Sequence, residues 1–401
     1  MKILLIHRYF WPDTPPYASM LRSIGKRLIS DGHQVSVLST QPSYKAAVSI
    51  KAQPSKEILD GMTVYRVTLP NEAGRQVLFR LFNMLYFPLR ILWHLLFNGK
   101  YDVVMVSTAP PVVVGVATAI GAKLRSSKFF YHCMDIHPEI GALSGEFKNP
   151  LLFKLLRRID IYSCNAAKAV IVLSEDMLNA LESRPKITKR NHIILNNFAL
   201  PDHEDVLSPS PELLKSKGKF RVLFAGNIGR FQGLELFVDA MAQLKLRPDI
   251  ELVFLGEGSA LTSLREQAKG LDNVIFLPHQ SVGVAKAVIR DADLAIVSLS
   301  KDIYKYAYPS KTMTYLEQGC PLLVSVENES SLVEFVRAEN IGVCVQRDSS
   351  QSIVDAISLV ADDSILLDDM KSSATRVYEN NFSERAVLDK WSNLFNESVG
   401  S

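Results

Sequence analysis

The 401-residue sequence predicts an α/β protein made of two doubly wound domains facing across a cleft, and three observations carry that reading. Short apolar runs such as KILLIH (2–7), DVVMVST (102–108) and LAIVSLS (294–300) alternate with helical stretches. These runs are apolar along their length rather than at every second residue, which is the pattern of parallel strands covered on both faces. The alternation breaks at 198–219, FALPDHEDVLSPSPELLKSKGK, a proline-, serine- and charge-rich stretch, and then restarts. The chain is also too long for one ordinary core. The predicted organisation is an N-terminal domain over 1–200, a linker over 201–219 and a C-terminal domain over 220–380. A helix within 381–401 is expected to pack back toward the N-terminal domain.

In the first domain the runs at 2–7, 34–40, 62–68, 102–108, 128–135, 169–174 and 192–197 read as strands. Residues 18–33 form an amphipathic helix that stops at Asp31–Gly32, and 112–125 form a buried one. In the second domain strands are expected at 220–226, 250–256, 273–278, 294–300, 321–326 and 342–346. Helices are expected there at 233–245, 259–269, 283–291 and 310–318. Ligands of such sheets lie beyond the carboxyl ends of the strands, so the loops that follow the strands hold the candidate site.

Hydrophobic residues make up 47% of the chain and charged residues 22%, which excludes a disordered protein. None of the four cysteines lies in a CxxC pair or at zinc-ligand spacing to a histidine, so they read as thiols of a reducing compartment. The opening MKILLIHRYF meets charge at once, reads as a strand rather than a leader, and makes the cytoplasm the expected location. The net charge of +3 hides an asymmetry. Residues 1–200 carry 25 Lys and Arg against 13 Asp and Glu, while 201–401 carry 20 against 29. A basic half implies an anionic partner. No basic helix with interleaved aromatics is present, which argues against nucleic acid and leaves an anionic membrane face.

One segment belongs to neither sheet pattern: VLFRLFNMLYFPLRILWHLLF, 77–97. It is long enough to span a bilayer, but Arg80, Arg90 and His94 oppose that. Arg80, Asn83, Arg90 and His94 fall on one helical stripe, and Pro88 is expected to divide the segment into two helices. Two readings stand. The segment lies in a membrane interface with its cations at the lipid phosphates, or it packs on its own sheet as core.

Several loops carry chemistry. In FAGNIGRFQGLE (224–235) a glycine-rich turn containing Gly229 follows a strand and opens a helix, where backbone N–H groups can approach a phosphate. Arg230 could take a diphosphate bidentately. In FLGEGSALTSL (254–264) Glu257 could accept from a hydroxyl. YHCMDIHPE (131–139) sets Asp135, His137 and Glu139 just past a strand, a set suited to proton transfer or to a strand-end turn with solvated charges. RYFWPDTPPYASM (8–20) is a proline-stiffened loop offering Asp13, Thr14 and Tyr17. In YKYAYPSKTMTYLEQGCPLLVSV (304–326) Ser310, Lys311 and Thr312 open a helix, with Glu317 two turns on. A lysine at a helix start, where the dipole repels cations, makes sense if an anion lies there too.

The motifs FWPD, DGHQVSVLST, MDIHPE, GNIGRFQGLE and YPSKTMTYLEQGCPLL give the chain its resemblance to the retaining nucleotide-sugar glycosyltransferases of family 4, with the GT-B fold. More narrowly it resembles bacterial O-antigen and exopolysaccharide enzymes of the L-fucosamine transferase type. The resemblance implies that the C-terminal domain binds the sugar nucleotide, a UDP-sugar, with Arg230 and Lys311 at the diphosphate and Glu317 at the ribose. It implies that the N-terminal domain binds a lipid-linked, undecaprenyl-diphosphate-type saccharide, and that the protein works at the inner membrane face. The sequence departs from the family in three places. Pro309 stands where a first glutamate is usual, Gln232 where a lysine is common, and His137 where an aromatic is common. No Asp-x-Asp motif is present, so no metal or other cofactor is expected. A nucleotide-sugar 2-epimerase on the same fold and a catalytically silent binding homologue are the alternatives.

Overall fold

The computed structural model describes residues 1–13, 15–43, 52–70, 77–147, 149–199, 209–229 and 232–398, with the backbone alone for 77–83. Two compact units emerge. One comprises Met1–Asn196 with Tyr306–Tyr308 and Val387–Ser401, and the other Asn197–Lys305 with Pro309–Ala386.

The N-terminal unit runs β1 (Lys2–Ile6), α1 (Pro16–Ser30), β2 (Gln34–Thr40), β3 (Lys56–Leu59), β4 (Met62–Val67), α2 (Val77–Phe97), β5 (Val103–Ser107) and α3 (Val113–Arg125). It continues with β6 (Lys128–His132), α4 (Glu139–Leu143), α5 (Pro150–Ala166), β7 (Ala169–Val172), α6 (Glu175–Glu182) and β8 (His192–Ile194). The eight strands form one sheet in the order β3-β4-β2-β1-β5-β6-β7-β8. All pairs are parallel except β3–β4. From the central β1 the crossovers through α1 and α3 run outward in opposite directions, so these helices cover opposite faces. The order reverses between β1 and β5, and the crevice at such a reversal is the usual ligand site.

β3 and α5 are not among the elements predicted from sequence. β3 is an edge strand whose KEIL alternates exposed and half-buried residues, so it lacks the continuous apolar run that marks the inner strands. Its signal is the Asp60–Gly61 turn, both residues at positive φ, joining it to β4. α5 is announced by Asn149, whose side chain accepts from Leu151 N–H, and by Pro150 at the first helical position.

α2 is a single 21-residue helix that contains Pro88, which corrects the expected division into two. Phe87, Pro88, Ile91 and Leu95 are buried on its inner side, and that packing holds both halves in line despite the backbone hydrogen bond a proline removes. α3 approaches closely because Gly121 lacks a side chain: a Cβ there would lie 2.6 Å from Leu95 Cδ1. His94 does not join a cationic stripe. It is buried, meets the Tyr101 hydroxyl at 2.9 Å, and desolvation lowers its pKa to about 4, so the imidazole is neutral. The side chains of Arg80 and Asn83 lie outside the described residues. Among the described residues no helix is long and apolar enough to cross a membrane.

The C-terminal unit contains β9 (Phe220–Ala225), α7 (Glu235–Gln243), β10 (Ile250–Leu255), α8 (Leu261–Gln267), β11 (Val274–Leu277), α9 (Val282–Asp291), β12 (Leu294–Ser298) and α10 (Lys311–Glu317). β13 (Leu322–Ser325), α11 (Ser331–Glu339), β14 (Gly342–Cys344), α12 (Ser350–Asp362) and α13 (Ser364–Val377) follow. Its six strands are all parallel, in the order β11-β10-β9-β12-β13-β14. β9, β10 and β12 are buried along their whole length, with Arg221 of β9 and Glu251 of β10 paired at 2.6 Å. The last helix, α14 (Glu384–Glu397), returns the chain to the N-terminal unit. There Trp391 packs edge-on to His132 at 5.0 Å between centroids, and Phe395 meets Phe130 at 5.2 Å.

Candidate functional site

In the C-terminal unit two glycine turns interlock at the carboxyl ends of β9 and β10. Ile228 N–H donates to Glu257 O at 2.8 Å, and Ala260 N–H to Ile228 O at 3.1 Å. The fit depends on missing side chains. A Cβ on Gly256 would lie 2.1 Å from Gly226 O, and one on Gly258 would lie 2.1 Å from Ile228 O. Gly226, at φ +117°, leaves room for Lys311, whose Cε would be 3.0 Å from a Cβ at that position. Gly229 N–H donates to Gln232 Oε1 at 3.0 Å, so the side chain that replaces the expected lysine closes the turn.

Lys311 opens α10 and reaches over this turn. Its ammonium lies 3.7 Å from the Phe224 ring centroid and donates to Asn227 O at 3.4 Å. Desolvation pulls its pKa down from 10.5 to about 7. Tyr315, one turn later, ties α10 to the end of β9: its hydroxyl accepts from Ala225 N–H at 3.0 Å and donates to Ala225 O at 3.2 Å. Gly229, Glu257 and Lys311 thus gather at the same strand ends. Ser310 is exposed beside Lys311, whereas Thr312 points inward and is fully buried. Arg230 lies outside the described residues.

Glu317 does not stand with this group. It ends the seven-residue α10, about 9 Å along the axis from Lys311. Its carboxylate takes the buried Lys286 ammonium at 2.8–2.9 Å, Gln318 Nε2 at 3.1 Å and the Tyr378 hydroxyl at 3.4 Å. Both carboxylate oxygens are thus engaged, by α9, by the neighbouring Gln318 and by the segment after α13. The partly exposed residue one turn beyond Lys311 is Thr314.

In the N-terminal unit a cavity of about 680 Å³ opens at the carboxyl ends of β1 and β5. Arg8 and Tyr9 line it on one side, Thr108–Val112 on another, and Met84 and Phe147 supply apolar wall. Asp135 and His137 follow β6. Asp135 pairs through its backbone with Ala307, and burial raises its carboxyl to about 6. Burial lowers His137 to about 4, so it is neutral near pH 7. Glu139, two residues after His137, is held by cations. It forms ion pairs with Arg184 and with Arg157, and Arg184 also holds Asp160 at 2.6 Å and His137 O at 2.6 Å. Asp13 is buried and accepts from Ser43 N–H at 3.1 Å, and the buried Tyr17 hydroxyl meets His132 Nδ1 at 2.7 Å. Thr14 lies outside the described residues.

Residues 18–197 match the family model described as Glycosyltransferase Family 4, and residues 209–377 match that of Glycosyl transferases group 1. The chain belongs to these glycosyltransferases. It is 24% identical over 373 residues to WcaI of Escherichia coli K12, named as a colanic acid biosynthesis glycosyl transferase, covering 89% of this chain and 91% of WcaI. It is 24% identical over 304 residues to the glycosyltransferase WbjE of Pseudomonas aeruginosa, covering 72% of this chain and 73% of WbjE. Among solved structures, the sucrose-phosphate synthase of Thermosynechococcus elongatus superposes with a TM-score of 0.72 at 16% identity, over 100% and 99% of the two chains. HepE of Anabaena in complex with UDP gives 0.70 at 16% identity, over 99% and 100%. The fold is therefore GT-B, with two Rossmann-like domains.

Within this glycosyltransferase two contributors to the turn were not singled out from sequence, Phe224 beneath Lys311 and Tyr315 bracing β9, while Gln232, noted there as a departure from the family, closes Gly229. Phe224 and Tyr315 look like ordinary core aromatics in sequence, and only the contacts separate them from the rest. Gln232 carried a signal, since it is a polar residue inside a glycine turn.

Proposed function

We propose that this protein transfers a hexosyl or N-acetylhexosaminyl unit from a UDP-sugar to a lipid-linked, undecaprenyl-diphosphate-type saccharide in bacterial surface polysaccharide synthesis. The observation that carries the reading is the Lys311 ammonium held over the Gly226–Gly229 turn, a cation at the strand ends that suits a diphosphate. The UDP complex of HepE and the polysaccharide name of WcaI support the donor and the pathway class. Retention of configuration and the L-fucosamine transferase type belong to the same proposal and rest on the sequence resemblance.

Glycosyl transfer builds negative charge on the departing nucleoside diphosphate. Lys311 stabilises that charge more than it stabilises the ground state, and so speeds the step. Arg230, in the same turn, is assigned to the diphosphate, and Glu257, exposed at the neighbouring turn, to a donor hydroxyl. Of the two acid–base candidates, Asp135 is the better matched. A carboxyl near 6 is ionised at neutral pH yet basic enough to take a hydroxyl proton, whereas an imidazole near 4 is a poor base. The cavity lined by Arg8 and Met84 is assigned to the acceptor, its cation to phosphate and its apolar wall to lipid. An enzyme acting on such an acceptor works as a peripheral protein on the cytoplasmic side of the inner membrane.

The test is turnover of UDP-, GDP- and dTDP-sugars by the full-length protein, with and without a short-chain polyprenyl-diphosphate saccharide. UDP release that rises with the acceptor is expected. Acceptor-independent formation of a 2-epimeric sugar, or no turnover of any UDP-sugar, would sink the proposal.

A further inference from the structure

We propose that the outer faces of α2, α3 and α5 form one continuous docking surface for an anionic lipid bilayer; this rests on the membrane reading above and specifies which residues carry it. α3 lies between the other two helices. Its Gly121 packs on Leu92 and Leu95 of α2, and a Cβ on its Gly115 would lie 3.1 Å from Ser163 Oγ of α5. Small residues at both contacts bring the three helices into one layer.

The outward side of that layer is apolar where a solvated helix is polar. Leu89, Trp93 and Phe97 of α2 are 57–64% exposed, Leu124 of α3 is 64% exposed, and Leu151 and Leu155 of α5 are 75% and 54% exposed. The Trp93 and Phe97 rings lie 4.4 Å apart on this surface. Large apolar side chains in rows on three neighbouring helices make an interaction surface rather than scattered exposure.

Charge selects the occupant. The exposed Arg90, Lys123, Lys154 and Arg158 stand among these rows. α2 and α3 contain no Asp or Glu, and α5 contains only Asp160, which is buried between Arg184 and Tyr131. A surface with apolar side chains and cations and no exposed carboxylate on its helices matches acyl chains edged by phosphates. Lys and Arg stems can lie along the acyl boundary while their heads reach the phosphates.

Full-length protein is sedimented with phosphatidylcholine vesicles with and without phosphatidylglycerol. Binding to the anionic vesicles is expected, with weaker binding to the neutral ones and release in high salt. The pair Leu151→Glu and Leu155→Glu on α5 should lower the partition about tenfold, as should Leu89→Glu and Trp93→Glu on α2, with UDP affinity and circular dichroism unchanged. Because apolar-to-acid changes can disturb folding, Lys154→Gln with Arg158→Gln provides a second test and should lower binding to the anionic vesicles several-fold. If α2 variants detach while both α5 pairs bind like wild type, the three-helix surface is overturned and the membrane reading survives. If wild type binds neither vesicle, both are overturned. If wild type is a dimer that the α5 glutamates dissociate, the occupant is a second copy and the lipid assignment is overturned.

Discussion

The Lys311 ammonium sits 3.7 Å from the centre of the Phe224 ring and donates a hydrogen bond, at 3.4 Å, to the Asn227 carbonyl. Desolvation lowers the pKa of this ammonium to about 7, so it is neutral above that pH and charged below it. A bound diphosphate favours the charged form. UDP binding at pH 8 is therefore expected to take up close to one proton, and at pH 6 almost none. Calorimetry in buffers of different ionisation enthalpy measures this directly; equal uptake at both pH values would refute the assignment. Lys311→Arg should abolish the uptake, and Lys311→Ala should lower kcat/KM at least tenfold, about 1.4 kcal/mol.

Glu317 and Lys286 form an ion pair at 2.8 Å in which the lysine side chain is 3% exposed. Removing the carboxylate leaves a buried cation without its main counter-charge. Glu317→Ala is expected to cost about 3 kcal/mol of stability. Glu317→Gln should cost less, because an amide oxygen still accepts from the ammonium. Urea denaturation gives both values. If Glu317→Ala keeps its stability and instead raises the KM for UDP-sugar, the carboxylate does hold the ribose and the structural role is wrong.

The contrast between these two residues shows what the sequence made legible. Lys311 could be read because its meaning is local: a cation at a helix start beside a glycine turn has few uses. Glu317 is in the same helix, but its direction depends on Lys286, thirty-one residues earlier, and on Tyr378 beyond α13. His94 was misread for the same reason, its hydrogen bond to Tyr101 lying past the end of α2. The inner strands were plain from their apolar runs, while β3, a four-residue KEIL with one charged residue on each face, was not. Elements defined by their own composition were visible, and roles set by distant partners were not.

Gly258 supports the diphosphate turn without reaching any ligand. A methyl group there would lie 2.1 Å from Ile228 O, so the turn between β9 and α7 must shift to admit it. Gly258→Ala is expected to destabilise the protein by about 2–3 kcal/mol and to weaken UDP binding, because the turn beneath the Lys311 ammonium is displaced. Gly270→Ala makes a useful control. Gly270 has positive φ but open space around it, so the substitution should strain the backbone locally and leave UDP affinity unchanged. Equal UDP affinity for Gly258→Ala and wild type would show that the interlocked turns do not form the diphosphate site.

With Asp135 as the proposed base, its carboxyl is expected to set the acid side of the pH profile. Its folded pKa of about 6 lies above the ordinary 3.8, so the folded state binds the proton more tightly than the unfolded chain does. Protonation through this group therefore adds stability as pH falls from about 6 toward 4, but it removes the base. kcat/KM is expected to fall below pH 6 as Asp135 protonates, and above pH 7 as Lys311 loses its charge, giving a narrow bell. Asp135→Asn should lower kcat at least a hundredfold, leave UDP affinity intact and remove the acid limb from the residual activity. If that limb persists in Asp135→Asn, another group supplies the base. His137 is then the next residue to replace, and with an imidazole near 4 its limb is expected lower on the pH axis.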